Sequence, residues 1–131
     1  MTANILASSP ITNSLGADVA CNNTANYFTG PSAAQGTSGT WFGSGTVTVS
    51  DTAGAANFSV KLWDGTTVIS SARVNSNTAN ANRIISLSGF IASPAGNIRI
   101  SVRDETSTSG LILFNASGNS KDSTITAFRI G

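Results

Sequence analysis

Residues 39–49, Gly-Thr-Trp-Phe-Gly-Ser-Gly-Thr-Val-Thr-Val, and residues 57–69, Asn-Phe-Ser-Val-Lys-Leu-Trp-Asp-Gly-Thr-Thr-Val-Ile, decide the fold. Val47 and Val49 fall on one face of an extended chain. Phe58, Val60 and Leu62 alternate with Ser59, Lys61 and Trp63, the period-two pattern of strands that bury one face. Asp64-Gly65 predicts a two-residue hairpin, because both central positions of the favoured turn take positive φ, which Asp tolerates and Gly adopts freely. The return strand is expected from residue 66 to about residue 74, and the architecture is antiparallel β.

Working outward, Asp51-Thr-Ala-Gly reads as a turn and the Asn-rich stretch 75–82 as a loop. Ile85, Leu87 and Phe90 suggest a further strand ending at Ser-Pro-Ala-Gly, residues 93–96. Residues 97–105 alternate most cleanly, with Ile98, Ile100 and Val102 facing one way and Arg99, Ser101 and Arg103 the other. Leu111, Ile112, Leu113 and Phe114 are apolar on both faces, which places them centrally in a sheet or under a partner. The closing segment 124–130 sets Phe128 and Ile130 opposite Ile125 and Ala127. No helical period appears. About eight short strands separated by turn residues point to a two-sheet sandwich, with a jelly roll favoured over an immunoglobulin-like topology because paired cysteines are lacking. Residues 1–38 show no sustained alternation and are interrupted by Pro10, Gly16, Gly30 and Pro31, so they are expected to form an irregular N-terminal arm and loop, and residues 39–131 the sandwich.

Composition narrows the function. The 131 residues are 40% hydrophobic but only 10% charged, with a formal net charge of +1. The polar surface is therefore built from Ser, Thr, Asn and Gly, groups that lose less on desolvation than Lys or Glu and suit burial between subunits. The seven Lys and Arg residues form no run that could track a phosphate backbone, so nucleic acid is not expected as a partner. Without histidine, and with Cys21 as the one cysteine, the chain lacks the material for a hydrolytic triad, a zinc site or an internal disulfide. Cys21 reads as a small apolar filler. Asp51, Asp64, Asp104, Glu105 and Asp122 include enough carboxylates for a glycosidase pair, but Asp51 and Asp64 sit in turns. Asp104 or Glu105 is expected to pair with Arg99 or Arg103, or to solvate a turn, rather than to hold Ca²⁺. No enzyme activity, metal or cofactor is expected. No stretch reaches the length of a membrane span, and the first residues carry no basic stretch of a secretory leader, which predicts release in the cytoplasm of the producing cell.

Tyr27, Phe28, Trp41, Phe42 and Trp63 are candidates for an aromatic sugar platform, though core packing accounts for most of them. Trp63 stands apart because its parity opposes Phe58, Val60 and Leu62.

In order along the chain, residues 39–49, 60–69, 85–90 (Ile-Ser-Leu-Ser-Gly-Phe), 97–104 and 122–130 resemble the strand signatures of tumour-necrosis-factor-like and complement-globular-head jelly rolls. Trp41 stands where the animal domains usually have Tyr. With the preceding Gly-Pro-Ser-Ala-Ala-Gln-Gly, residues 30–36, the same run is similar to small structural proteins of tailed bacteriophages and prophages. The resemblance implies a homotrimer, a location in the virion after synthesis in the host bacterial cytoplasm, and contact with the major capsid protein or another virion protein. On this view Leu111, Leu113, Phe114, Phe128 and Ile130 are the expected trimer interface, and Ile5, Leu6, Ile11 and Leu15 anchor the arm to the particle. The expected role is capsid decoration. The alternative is a tail-fibre or receptor-binding module that recognises host glycans through loops 75–82 and 106–110.

Overall fold

The computed structural model describes residues 9–131, which form ten strands and no helix. The strands are β1 (Ile11–Ser14), β2 (Val19–Cys21), β3 (Phe28–Ala33), β4 (Thr40–Asp51), β5 (Asn57–Trp63), β6 (Val68–Asn75), β7 (Arg83–Ala92), β8 (Ile98–Asp104), β9 (Gly110–Leu113) and β10 (Thr124–Arg129). They make two antiparallel sheets. A four-stranded sheet runs β3-β8-β5-β6, and a six-stranded sheet is organised about β4.

The twelve residues of β4 pair along one edge with β7, from Thr40↔Ala92 to Val49↔Arg83. The other edge is shared. Trp41–Thr46 pair with β10 and Thr48–Asp51 with β9, while β1 and β2 flank β10 and β9 respectively. Buried Ser123 fills the junction: its hydroxyl accepts from the Thr48 amide and donates to the Leu113 carbonyl, so neither backbone group is left unpaired where the two partners part.

The core lies between the sheets. Val47, Val49, Ile85, Leu87, Ile112, Ile125 and Ala127 point in from the six-stranded sheet, and Phe58, Val60, Leu62, Ile98, Ile100 and Val102 from the four-stranded sheet. Each fully buried Val, Leu, Ile or Phe contributes roughly 1.5–3 kcal/mol of transfer free energy. The Gly-Ser-Gly of the opening stretch acquires a reason here. Gly43 and Gly45 face inward, and a Cβ on Gly45 would stand 2.8 Å from Ile100 Cδ1, so the missing side chains admit the isoleucines of β8.

Two expectations are corrected. The irregular arm does not extend to residue 38: β1, β2 and β3 belong to the two sheets, and Ile11 and Leu15 pack against the sandwich's own core. Ile5 and Leu6 lie outside the described residues. These strands are short, and their partners, Ala127 for Ile11 and Ile112 for Val19, lie more than ninety positions away, so local alternation could not announce them. Pro31 sits on β3, an edge strand, within a register break between Thr29 and Ser32, which is where a sheet tolerates a residue with no amide hydrogen.

The hairpin after Trp63 is also longer than two residues. Trp63 pairs with Val68, leaving Asp64, Gly65, Thr66 and Thr67 in the loop, with Gly65 at φ 95°. Asp64 is buried, and its carboxylate accepts from the amides of Thr66, Thr67 and Ala95. The Asp thus ties two loops together instead of occupying a tight turn, and those amides lower its pKa although burial opposes them.

Candidate interaction surfaces

The outer face of the six-stranded sheet is set by the register of β4. At one end Phe42 lies between Phe90 on β7 and Phe128 on β10, with ring centroids 4.9 and 5.3 Å apart. Phe90 remains 62% exposed. The next two rows are hydroxyls: Thr12, Thr126, Ser44 and Ser88, then Ser14, Thr124, Thr46 and Ser86. Many bond one another, as in Thr12–Thr126 at 3.0 Å, Ser14–Thr124 at 2.7 Å and Thr46–Ser86 at 3.0 Å. Beyond them come Leu113, Thr48 and Ile84, and then Ala20, Leu111 and Ser50. Ile84 is 70% exposed. No strand position on this face carries a charge. From Phe42 to Ser50 the face runs eight residues, ~27 Å at ~3.4 Å per residue, but Thr48 and Ser50 are themselves buried, Thr48 donating to the Asp122 carbonyl.

Of the expected interface residues, Leu111, Leu113 and Phe128 share this face, at opposite ends of it, and all are half-buried. Ile112 points into the core between the two leucines, so the apolar-on-both-sides reading of this segment describes the strand. Phe114 follows β9, its amide held by Asp18, and Ile130 follows β10, its amide on the Thr40 carbonyl. Sequence reasoning missed Phe42, Phe90 and Ile84 as members. The available signal was parity, since Ile84 and Phe90 oppose Ile85 and Leu87.

The outer face of the four-stranded sheet has a different chemistry. It presents Lys61 on β5, Arg73 on β6 and Arg99 and Arg103 on β8, against one carboxylate, Glu105. Glu105 accepts from Ser59 and pairs with Arg73 at 3.1 Å and with Arg103 at 4.0 Å; the Arg73 and Ser59 hydrogen bonds hold its pKa below the usual value. The Lys61 ammonium lies 4.0 Å from the Tyr27 ring centroid and 3.6 Å from that of Trp63. Trp63 Nε1 donates to Ser101 Oγ at 2.8 Å.

The five residues considered as a sugar platform are therefore dispersed. Trp41 is buried, with Nε1 on the Ser38 carbonyl, Phe28 packs on the core, Phe42 belongs to the six-stranded face, and Tyr27 and Trp63 stay together on the four-stranded face.

One carboxyl pair does form. Asp51 at the end of β4 and Asp104 at the end of β8 are 1% and 0% exposed and close enough to perturb one another. Asp51 takes the Ala53 amide and, at 2.5 Å, the Ser107 hydroxyl. Asp104 takes the amides of Thr106 and Ser107 on one oxygen only. Burial, with the hydrogen bond and charge of Asp51, raises the Asp104 pKa to about 6, whereas the hydrogen bonds around Asp51 lower its own. The second Asp104 oxygen is buried with no hydrogen-bond partner; a proton there would let it donate to Asp51. Of the two acids expected to meet Arg99 or Arg103, Glu105 does so, on Arg103, whereas β8 alternation turns Asp104 inward with Ile100 and Val102, beside Asp51. Burial first, and Asp104 second, push the Cys21 thiol up to about 12, which leaves it protonated. Among the described residues no cluster of three acidic, Cys or His ligands is assembled.

Solved structures share this architecture. Eiger TNF from S. frugiperda superposes with a TM-score of 0.56 at 9% identity over 93% of this chain and 92% of that one. The fold is a tumour-necrosis-factor-like jelly roll. The PRD1 vertex protein P5 is more distantly alike, with TM-score 0.41, 17% identity, and coverage of 93% and 96%. So is the C-terminal family 6 carbohydrate-binding module of a marine laminarinase from Zobellia galactanivorans, with TM-score 0.39, 16% identity, and coverage of 79% and 72%. No protein-family model and no curated protein sequence matches the chain.

Proposed function

We propose that three copies of this chain assemble through the outer face of the six-stranded sheet, and that the assembly is a structural protein of a bacteriophage particle, decorating the capsid exterior. The observation that carries the reading is the charge-free face itself. Three pairs of its hydroxyls bond within the chain, Thr12–Thr126, Ser14–Thr124 and Thr46–Ser86, so covering these pairs leaves few polar groups unpaired, and the Phe42–Phe90–Phe128 ladder offers an apolar anchor at one end. The sequence resemblance to phage structural proteins supports the particle assignment, and Leu111, Leu113, Phe114, Phe128 and Ile130 join Phe42 and Phe90 in the contact. In this reading binding is the whole activity and no reaction is assigned. Light scattering should give three times the 13.2 kDa chain mass, and labelled protein should decorate the outside of intact particles. A single-chain mass at the highest attainable concentration would overturn the assembly.

A tail-fibre or receptor-binding module is the second reading, favoured by the cationic aromatic face of the four-stranded sheet. Binding of purified protein to host cells, with label on fibres instead of shells, would select it.

A further inference from the structure

The cations on the four-stranded sheet are poorly matched by this chain's own acids. Arg73 and Arg103 share Glu105, Arg99 spends Nε on the Asn97 carbonyl and reaches the Asp64 carbonyl through Nη2, and Lys61 has no carboxylate partner among the described residues. Its ammonium is fixed by two rings. Such clamping orients a charge without neutralising it, since a ring quadrupole attracts a cation but carries no net charge.

We infer that this face, centred on Lys61 between Tyr27 and Trp63 and flanked by Arg99 and Arg103, binds an acidic glycan whose charge is a carboxylate. Three observations fit that occupant. Lys61, Tyr27 and Trp63 are each partly exposed, so cation and rings reach the surface together. A pyranose carrying a carboxylate holds its charge at the ring edge and leaves apolar C–H faces free to lie on Tyr27 or Trp63 while the carboxylate meets the ammonium. The cations are also spaced out: Lys61 is opposite Ser101, and Arg99 and Arg103 lie two residues to either side of Ser101, ~13 Å apart along β8 at ~3.3 Å per residue. Cations so far apart do not make the continuous basic tract on which polyphosphate binding draws. The site faces away from the proposed subunit contact, so it stands or falls independently of the trimer.

The test is calorimetric titration of the whole chain at low salt with polygalacturonate, with dextran as a neutral polysaccharide and a single-stranded oligonucleotide as a polyphosphate. Polygalacturonate should bind, weaken as salt rises, and bind at least tenfold more weakly to Lys61→Gln, while dextran and the oligonucleotide bind at least tenfold more weakly to the wild type. Lys61→Gln should keep the wild-type thermal midpoint, and Lys61→Arg should restore most of the affinity, which separates lost recognition from lost folding. Absence of polygalacturonate binding, unchanged affinity in Lys61→Gln, equal binding of dextran, or tighter binding of the oligonucleotide would each overturn the assignment.

Discussion

The two outer faces of this sandwich belong to one antiparallel frame, yet one carries no charge at its strand positions and the other carries four cations. The difference lies in which residues the shared register leaves pointing outward. On the six-stranded sheet the outward set is Phe, Ser, Thr, Leu and Ile, and its hydroxyls bond across strands. On the four-stranded sheet it is Lys61, Arg73, Arg99 and Arg103 with Tyr27 and Trp63, and an ammonium rests on rings instead of on a carboxylate. A face whose polar groups are already paired loses little when another copy covers it; a face with unneutralised charge resists such covering and gains from an anionic ligand. A chain with a formal net charge of +1 can therefore hold two surfaces of opposite disposition.

The largest effect should come from charging the six-stranded face. Phe90→Asp should raise the dissociation constant of the assembly by at least about a hundredfold, in the range of an anchor residue, leaving single chains in light scattering. Because Phe90 is 62% exposed, the unfolding free energy should move by less than about 1 kcal/mol. A large loss of stability with an unchanged mass would assign the ring to the fold alone. Ser88→Lys, in the hydroxyl field, should dissociate the assembly less completely, by about tenfold. The matching substitution on the other sheet, Ser71→Lys on β6, should leave the mass as it is, and dissociation there would reverse the roles of the two faces.

A smaller effect comes from between the sheets. Asp104 has a folded pKa raised to about 6, so its contribution to stability is complete below the unfolded value near 4 and is lost as pH rises through about 6. The thermal midpoint should accordingly fall between about pH 4.5 and about pH 7.5 in wild type, and Asp104→Asn should flatten that slope. Asp51, with its lowered pKa, acts in the opposite sense at lower pH. A midpoint that rises over the upper interval would mean that the pair is not sharing a proton. Least of all, Arg73→Ala should leave the midpoint unchanged, because the Arg73 side chain is 63% exposed and its bond to Glu105 is screened by water.

How much of this was legible in the sequence depends on range. Residues 58–62 and 98–102 announced themselves because each strand buries alternate side chains and the pattern is complete within five residues. β1 and β2 did not, since four- and three-residue strands carry too little pattern and their partners come from the far end of the chain. The same limit governs the surfaces. Parity alone freed Trp63 from the core, but that Lys61 would lie on its ring and on Tyr27 depends on β3 joining β8. Phe42, Phe90 and Phe128 become neighbours only through the pairing of three strands, and the approach of Asp51 to Asp104 needs two strand ends to meet.

β3 and β7 end their sheets differently. β3 closes its sheet with a register break and a proline, a margin on which an incoming strand cannot continue the ladder. β7 pairs only with β4 among the described residues and offers ten residues of regular backbone along its free side. If these molecules stick together in the wrong way on storage, the misassembly should begin by strand addition along β7, and a proline placed at an outward-pointing amide there would protect the stock.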